Sequence, residues 1–293
     1  MIRALVVRLL SRFYERKLFA AVTAGLYFAA VVLGHEEVSK IFDWMREKLS
    51  FKVYNNLLLE VSILITLIFA VLTIIRIRNG EHKHLQIALW LFTAALVVVS
   101  YKTLIVFNAE NTHYLQYALL TLPVFALTTR YGETVFWVTF LGALDEAYQY
   151  FVLYPDRKEF YFDFNDIVLN LVGAGIGVAF IYTLLDVKAN PFTFNSPLRR
   201  KWYRSPAFLV TAIISFGIFT LYVTGLLRFY PSPEASGALI VLSRIPAPAT
   251  FWIEPKVGNT FHILSPLEGL VSAAVIMACY SFLDRFSPAG KRT

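Results

Sequence analysis

Long apolar runs separated by short polar stretches recur along the whole chain. Each run approaches the ~20 residues that an α-helix needs to cross the apolar core of a bilayer. The pattern therefore predicts an all-α fold, a polytopic transmembrane helical bundle of about eight helices. The predicted spans cover residues 18–34, 53–75, 85–107, 113–129, 132–153, 165–186, 206–227 and 264–283.

Two stretches between the apolar runs carry other patterns. Residues 41–52 are charged and amphipathic, which predicts a helix that lies along the membrane surface. Residues 230–265 are rich in proline, glycine and aromatic side chains, which predicts an ordered external loop. The basic and then apolar N-terminus lacks a persuasive signal-peptide cleavage site, so we expect a retained first helix.

The composition excludes a soluble globular domain. Apolar residues make up 57% of the chain and charged residues only 16%, whereas a soluble domain carries about 25% charged residues. The only cysteine, Cys279, lies in an apolar run, so an intrachain disulfide is impossible and a cysteine-based metal site is not expected. Phosphate-loop, dinucleotide and zinc-protease motifs are missing from the sequence, so no cofactor and no metal are predicted.

The distribution of basic residues predicts the orientation in the membrane. Lysine and arginine are retained on the cytoplasmic side of short loops. If the N-terminus lies inside, the cytoplasmic segments hold 17 of the 27 basic residues but only 5 of the 20 acidic ones. We therefore expect a multi-pass protein of the inner (cytoplasmic) membrane with both termini cytoplasmic. Topology accounts for the net charge of +7, so no nucleic-acid partner is expected.

Acidic side chains interrupt the fifth predicted span close to its external end. At about 100° per residue, Asp145, Glu146 and Gln149 can share one inward face of the helix. A carboxylate at such a depth is costly, and a functional role is the default hypothesis for it. The alternative is that these side chains cap the helix or bond it to a neighbouring helix.

The sixth predicted span carries a matching stripe of polar and small residues. Asp163, Asp166, Asn170, Gly173 and Gly177 follow one another at helical spacing. The glycines predict the close approach of a second helix, and Asp166 and Asn170 are placed to bond across that interface. Asp163 has two interpretations, as a site carboxylate or as the N-cap of the helix.

Basic and aromatic residues lie near these acids in the sequence. Arg157 lies in the short external loop between the two spans, against the topology bias. It can pair with the carboxylates nearby, or it can bind a phosphate or carboxylate group of a ligand. His113 begins the fourth span together with Tyr117, as a hydrogen-bonded anchor or as an acid-base group.

These residues resemble a pattern of the VanZ-like family of small bacterial membrane proteins. The resemblance covers roughly residues 85–186, about a third of the chain. The matching positions are His113 with Tyr117, Glu146 with Gln149, Arg157, and Asp166, Asn170 and Gly173. Glu110 departs from the pattern, because a basic residue is expected before the histidine, and the loop around Arg157 is longer than usual. The family is named for a gene linked to low-level resistance to the glycopeptide antibiotic teicoplanin, so the resemblance implies a place in the bacterial cell envelope.

The resemblance divides the chain into four parts. Residues 1–84 form an N-terminal two-helix membrane unit, and residues 85–186 form the VanZ-like four-helix unit. Residues 187–205 are a cytoplasmic basic linker, and residues 206–293 hold a C-terminal helix pair with the ordered external loop. The sequence leaves open whether three polar residues of the flanking units join the site: Glu60, His262 and Glu268.

The predicted function is that of an envelope protein acting at the extracytoplasmic side on a lipid-linked or cell-wall-related anionic substrate. Its expected partners are membrane lipids, a lipid-linked envelope precursor or other membrane subunits. The sequence does not decide whether it is an enzyme. The predicted catalytic residues are Glu146, Asp166 and His113, and the predicted substrate-binding residues are Arg157, Gln149, Asn170, Asp145 and Tyr117.

Two other classes of function compete with this prediction. A non-catalytic subunit or scaffold of a membrane complex is the main alternative, because polar clusters in membranes also serve packing. A transporter or flippase is less favoured, because the inner halves of the predicted spans are almost wholly apolar.

Overall fold

The computed structural model describes residues 2–78, 80, 82–158, 161–185, 205–231 and 237–286. Within these ranges the chain forms nine α-helices and one two-stranded parallel sheet, which confirms the predicted all-α class. The helices are α1 (Ile2–Glu15), α2 (Lys17–Lys48), α3 (Phe51–Ile77), α4 (Lys83–Thr103), α5 (Thr112–Thr128), α6 (Tyr131–Tyr148), α7 (Phe164–Leu185), α8 (Pro206–Val223) and α9 (Pro266–Ser281). The strands are β1 (Leu227–Arg228) and β2 (Ile240–Val241), and short helical turns lie at Asn108–Asn111, Gln149–Leu153 and Phe282–Phe286.

The protein is a multi-pass membrane protein. Every predicted span corresponds to a helix, from α2 to α9. Within the described ranges, six of these helices are long and apolar enough to cross a membrane, namely α2, α3, α4, α7, α8 and α9 extended to Asp284. The predicted number of eight spans is therefore supported only in part. The predicted basic linker at 187–205 lies outside the described residues except for Ser205, which caps α8.

Helix α7 forms the centre of the bundle, and nearly all of its side chains are buried among α4, α5, α6 and α9. A Cβ atom on Gly173 would lie 2.8 Å from the carbonyl oxygen of Tyr114, and one on Gly177 would lie 2.7 Å from that of Ala118. Small residues allow helix backbones to approach this closely. The predicted role of the glycines is confirmed, and the helix that approaches them is α5.

Helices α3 and α8 expose most of their apolar side chains. The N-terminal part of α3 is tied to the turn before α5, where the side-chain oxygen of Asn55 accepts a hydrogen bond of 2.8 Å from the backbone N–H of Asn108. An apolar surface of this extent is stable in a bilayer, where lipid chains cover it. The two helices therefore form part of the lipid-facing surface.

Helix α2 is longer than the sequence predicts. A span at 18–34 and a separate surface helix at 41–52 are expected, yet one helix runs without a break over Lys17–Lys48. The stretch 41–52 is therefore not a helix of its own, because most of it continues α2 and its last two residues begin α3. Charged residues one turn apart continue the helix beyond the apolar run, as where Lys40 contacts Glu36 at 3.0 Å.

Helix α1 precedes the first predicted span and was not expected, because its 14 residues are too few to cross a bilayer. Leu10 and Phe13 are buried on one face of it. Phe13 packs with Ala20 and Ala126, and the Lys17 ammonium group donates a hydrogen bond to the carbonyl oxygen of Ala126. These contacts attach the start of α2 to the end of α5.

The start of α6 is tied to the end of α9 by Asp284. Its carboxylate accepts hydrogen bonds from the backbone N–H groups of Tyr131 at 2.6 Å and Gly132 at 3.3 Å. Arg130 Nε lies 3.8 Å from the same carboxylate. A carboxylate at a helix N-terminus satisfies N–H groups that have no partner within the helix. Asp284 therefore holds α9 against α6 at this end of the bundle.

The opposite end, where α5 and α7 begin and α6 ends, is covered by residues 237–265, which we call the cap. Tyr150 donates a hydrogen bond of 2.8 Å from its hydroxyl group to the carbonyl oxygen of Val241. Asn165 donates from its side chain to the carbonyl oxygen of His262 at 2.7 Å and accepts from the N–H of Leu264 at 2.9 Å. The loop predicted at 230–265 is thus ordered where it is described, and we call this end of the bundle the capped end.

Candidate functional site

Seven polar side chains from α5, α6 and α7 lie together at the capped end. We call them the polar cluster: His113, Tyr117, Asp145, Glu146, Gln149, Asp166 and Asn170. Antiparallel packing brings them together, because α5 and α7 begin where α6 ends. All of them except Asp166 are buried. The structure therefore places every site residue predicted from the sequence in this cluster, apart from Arg157.

His113 lies between two residues of α7 that are one turn apart. Its Nδ1 atom is 2.8 Å from the side-chain oxygen of Asn170, and its Nε2 atom is 3.6 Å from a carboxylate oxygen of Asp166. Because the amide oxygen can only accept, Nδ1 carries the proton in this contact. The nitrogen that can exchange a proton is therefore Nε2, which faces Asp166.

Two further contacts involve the acids of α6. Tyr117 donates a hydrogen bond of 3.0 Å from its hydroxyl group to Asp145. Gln149 donates one of 3.2 Å from its side-chain nitrogen to Glu146. Gln149 begins the π-helical turn that ends α6, and such wider turns often occur at functional sites. Asp145 and Glu146 thus point toward α5 and α7, on the inward face that the sequence predicts.

The cluster contains a buried donor and a buried acceptor that are not matched by other protein groups. Asn170 Nδ2 and Asp145 Oδ1 have no hydrogen-bond partner within the described structure. Asn170 packs against bare backbone of α6, since a Cβ atom on Gly142 would lie 2.8 Å from Asn170 Nδ2. Buried polar atoms of this kind are costly unless water or a ligand satisfies them.

Two acids outside the membrane-spanning helices border the cluster. Glu110 accepts hydrogen bonds from the backbone N–H groups of Val106 at 2.9 Å and Phe107 at 3.2 Å. Burial, with the neighbouring charges of Asp166 and Asp163, nevertheless raises the pKa of Glu110 well above its usual value. Acidic side chains are therefore crowded at this border of the polar cluster.

Asp163 acts as the N-cap that was one of its two predicted roles. Its carboxylate accepts hydrogen bonds from the backbone N–H groups of Asn165 at 2.8 Å and Asp166 at 3.3 Å. Burial and the charge of Asp166 raise the pKa of Asp163 to about 8, against the lowering effect of those two hydrogen bonds.

We expect the stability of the protein to fall as pH rises because of Asp163. Its pKa rises from 3.8 to about 8 on folding, so between these values the folded protein holds a proton that the unfolded chain has released. This stabilisation is complete below about pH 4 and is lost as pH rises through about 8. Asp163→Asn keeps an oxygen for the cap but cannot titrate, so its melting temperature in detergent should fall less between pH 5 and pH 9 than that of the wild type. Asp156→Asn, at an exposed loop position, is the control, and equal pH slopes in all three proteins would contradict the expectation.

Arg157 lies in the loop after α6 rather than within the polar cluster. Its side chain is exposed, and its guanidinium carbon is 4.5 Å from the centre of the Tyr154 ring. Arg244 of the cap fixes this loop by donating to the carbonyl oxygens of Tyr154 at 2.6 Å, Arg157 at 3.1 Å and Tyr150 at 2.8 Å. A long-range contact of this kind has no signal in the sequence, and Arg244 was accordingly missed.

His35 of α2 is a second residue that the sequence reasoning missed. It is half-buried and lies within electrostatic range of Asp145, His113 and Asp166. Its ring meets that of Tyr154 edge-on, with 6.4 Å between the ring centres. The only signal in the sequence was a histidine at the end of an apolar run.

The three polar residues left open by the sequence lie elsewhere. Glu60 is exposed on α3. Glu268 forms a capping box with Ser265 at the start of α9, and His262 Nε2 lies 3.3 Å from its carboxylate. These contacts account for Glu268 and His262 as parts of a helix start.

The fold and the cluster define a multi-pass helical membrane protein with a buried polar site between three helices at one end. Within the part of the chain that the structure describes, no three His, Cys, Asp or Glu side chains are arranged to hold a metal ion. No family model, no curated protein and no solved structure matches the chain.

Proposed function

We propose that the protein is a VanZ-like protein of the bacterial cell envelope. In this proposal it lies in the inner membrane with both termini cytoplasmic. It acts at the extracytoplasmic side on a lipid-linked or cell-wall-related anionic substrate. Its partners are membrane lipids and a lipid-linked envelope precursor.

The charges of the described residues support this orientation. Among the described residues, the end of the bundle opposite the polar cluster combines basic residues with few acidic ones, and its basic residues include Lys17, Arg76, Arg78, Lys83 and Arg130. Segments rich in lysine and arginine are retained in the cytoplasm. With that end inside, the polar cluster and the cap face outward, where a cell-wall substrate would be found.

The observation that carries the proposal is the placement of His113 between Asn170 and Asp166. Asn170 fixes the ring through Nδ1, which leaves Nε2 facing the Asp166 carboxylate at 3.6 Å. A histidine paired with a carboxylate can accept a proton and return it near neutral pH. Asp166 is also the most accessible member, with 20% of its side chain exposed. The pair therefore has both the chemistry and the access that an acid-base role requires.

The other members of the cluster have supporting roles in the proposal. Glu146, which interacts electrostatically with Asp166, is a second acid-base group beside the His113–Asp166 pair. Arg157 binds the anionic group of the substrate at the edge of the site. A functional role is the default hypothesis for an intramembrane carboxylate that faces the interior of a bundle, and this is the general ground for assigning Glu146 a role beyond packing.

The test is Glu146→Gln, which preserves shape and hydrogen bonding but removes the titratable proton. The variant is expressed in a bacterium deleted for its own copy, and resistance to teicoplanin and other cell-wall antibiotics is measured. We expect at least a ~10-fold loss of the protein's protective effect at unchanged protein abundance. Glu60→Gln, the same change at an exposed site of α3, should behave as the wild type. Full protection by a normally expressed Glu146→Gln protein would refute the acid-base role.

Burial favours a second candidate, a non-catalytic subunit or scaffold. Only 1% of Asp145 and 2% of Glu146 are exposed, so a substrate reaches them only if the helices move. In a scaffold the cluster would bond three helices together, and Glu146→Gln would lower protein abundance in step with protection. A transporter is less favoured, because α7 is apolar from Leu171 to Ile181, where a transport path needs polar groups.

A further inference from the structure

His35 faces the capped end from a helix outside the VanZ-like unit. The face of α2 that packs on the bundle carries the buried residues Ala20, Ala24 and Val32. Tyr27 fixes this face on α5 by donating a hydrogen bond of 3.0 Å to the carbonyl oxygen of Gln116. His35 lies one turn beyond Val32 on the same helix, so the packing of α2 on α5 also determines where the imidazole points.

Tyr154 brings His35 and Arg157 to the same edge of the site. The two side chains contact one ring, His35 edge-on and Arg157 with its guanidinium group over the face. Arg244 holds the carbonyl groups of both Tyr154 and Arg157, so the loop that presents them is fixed by the cap. Two groups that can carry positive charge, from separate parts of the chain, are thereby brought against the same aromatic ring.

Next to this edge, toward the polar cluster, the side chains are acidic rather than basic. The charged and titratable groups that act on His35 are His113 of α5, Asp145 of α6, Asp166 of α7 and Arg157 of the loop. The carboxylates repel an anion that approaches the polar cluster directly. This edge, where the guanidinium of Arg157 and the imidazole of His35 contact the same ring, is therefore more favourable for an anionic group than the interior of the polar cluster.

We infer that His35 and Arg157 together form an anion-binding site for a phosphodiester headgroup, with Tyr154 as the residue that positions both. The inference rests on the proposed function, because it names the chemical class of the anionic substrate. A phosphodiester has two free oxygens that share one charge. The planar guanidinium group binds such a pair of oxygens, and a protonated imidazole donates to one of them.

If His35 takes part, anion binding at this site depends on pH, whereas binding to a patch of arginine and lysine alone does not. The imidazole carries its charge only at lower pH, whereas a phosphodiester keeps a single negative charge between pH 5 and pH 8. Binding should therefore weaken as pH rises, by about 3- to 10-fold over this range, which corresponds to one charge-assisted hydrogen bond. Titration of the carboxylates would also weaken anion binding at higher pH, so the pH dependence must be tested in a His35 variant.

The experiment measures binding of a phosphatidylglycerol with a fluorescent acyl chain to the full-length protein in detergent, by anisotropy at pH 5 and pH 8. We expect His35→Gln to bind more weakly than the wild type at pH 5 and to keep only the smaller pH dependence that the carboxylates cause. Arg157→Gln should bind weakly at both pH values. His84→Gln, an exposed histidine at the start of α4, is the matched control and should bind as the wild type does.

Three other results would each contradict a different part of the proposal. If His35→Gln keeps the wild-type affinity and pH dependence, His35 is not part of the site, while the proposed function is unaffected. Soluble glycerophosphoglycerol at millimolar concentration should displace the labelled lipid from the wild type. If it does not, the lipid binds through its chains and the headgroup site is wrong. If the protein binds labelled diacylglycerol as tightly as the phospholipid, the anionic substrate class of the proposed function is itself wrong.

Discussion

Gly173→Leu should destabilise the protein by about 3 kcal/mol or prevent it from folding. The first added atom would lie 2.8 Å from the carbonyl oxygen of Tyr114 and 3.0 Å from that of His113. Both neighbours are backbone atoms of α5, which cannot rotate away as a side chain can. Overpacking in a close-packed core typically costs ~1–3 kcal/mol, and a leucine between two helix backbones lies at the upper end of that range.

The measurement is thermal unfolding of the purified protein in detergent, together with the yield of folded protein. Gly217→Leu is the matched control, because a Cβ atom at that position of α8 meets nothing within 4 Å. Its melting temperature should stay within a few degrees of the wild type. Equal stability of the two leucine variants would show that α5 and α7 are not packed as closely as described.

The positions of the helices were largely predictable from the sequence, because the length of an apolar run is a direct consequence of bilayer thickness. The C-terminal end of α2 was not predictable in this way. Helix formation continues through a charged segment when residues one turn apart pair, as Lys40 and Glu36 do, so the apolar run does not mark the end of the helix. The short α1 was missed because it is not a long apolar run, and the search for spans relied on such runs.

Two of the eight predicted spans, α5 and α6, are not among the six helices that are long and apolar enough by themselves to cross a membrane, and this has a physical reason. Helix α5 has 17 residues and contains Pro123, and α6 carries Glu133, Asp145 and Glu146. Both pack against α7 within the bundle. Protein neighbours can satisfy polar groups that lipid cannot, so such helices need less apolar character than helices that face lipid.

The polar cluster was predictable where its members share a helix and was not where they come from distant segments. Helical spacing places Asp166 and Asn170 on one face, and His113 contacts both of them. The spacing within a helix contains no information on which residue of α2 or of the cap will meet that face. His35 and Arg244 join the site through contacts between segments that are far apart in sequence, and only the three-dimensional structure shows them.

Asp163 and Asp166 illustrate why adjacent acids on one stripe need different interpretations. Asp163 uses its carboxylate to accept backbone N–H groups at the start of α7. Asp166 points instead to the imidazole of His113. The sequence places the two acids on one stripe, whereas the structure separates a residue that begins a helix from one that faces the imidazole of His113.

This difference leads to the prediction with the largest effect on activity, namely that Asp166→Asn abolishes function while Asp163→Asn retains it. Both changes replace a carboxylate by an amide of the same shape, at positions three residues apart. Asparagine can still accept the N–H groups that Asp163 caps. At position 166 it cannot take a proton from His113 or return one, and general acid-base assistance contributes ~10²- to 10⁴-fold in rate.

The measurement is protection against cell-wall antibiotics in the deletion strain, with protein abundance and melting temperature determined for both variants. We expect Asp166→Asn to fold normally and to lose at least ~10²-fold of the protective activity. The double variant with His113→Gln separates chemistry from packing. If Asp166 acts through His113, the double variant should be no less active than either single one, because residues that act as a unit are not additive. Losses that simply add would instead mean that Asp166 and His113 contribute independently, and they would remove the ground for an acid-base pair at this site.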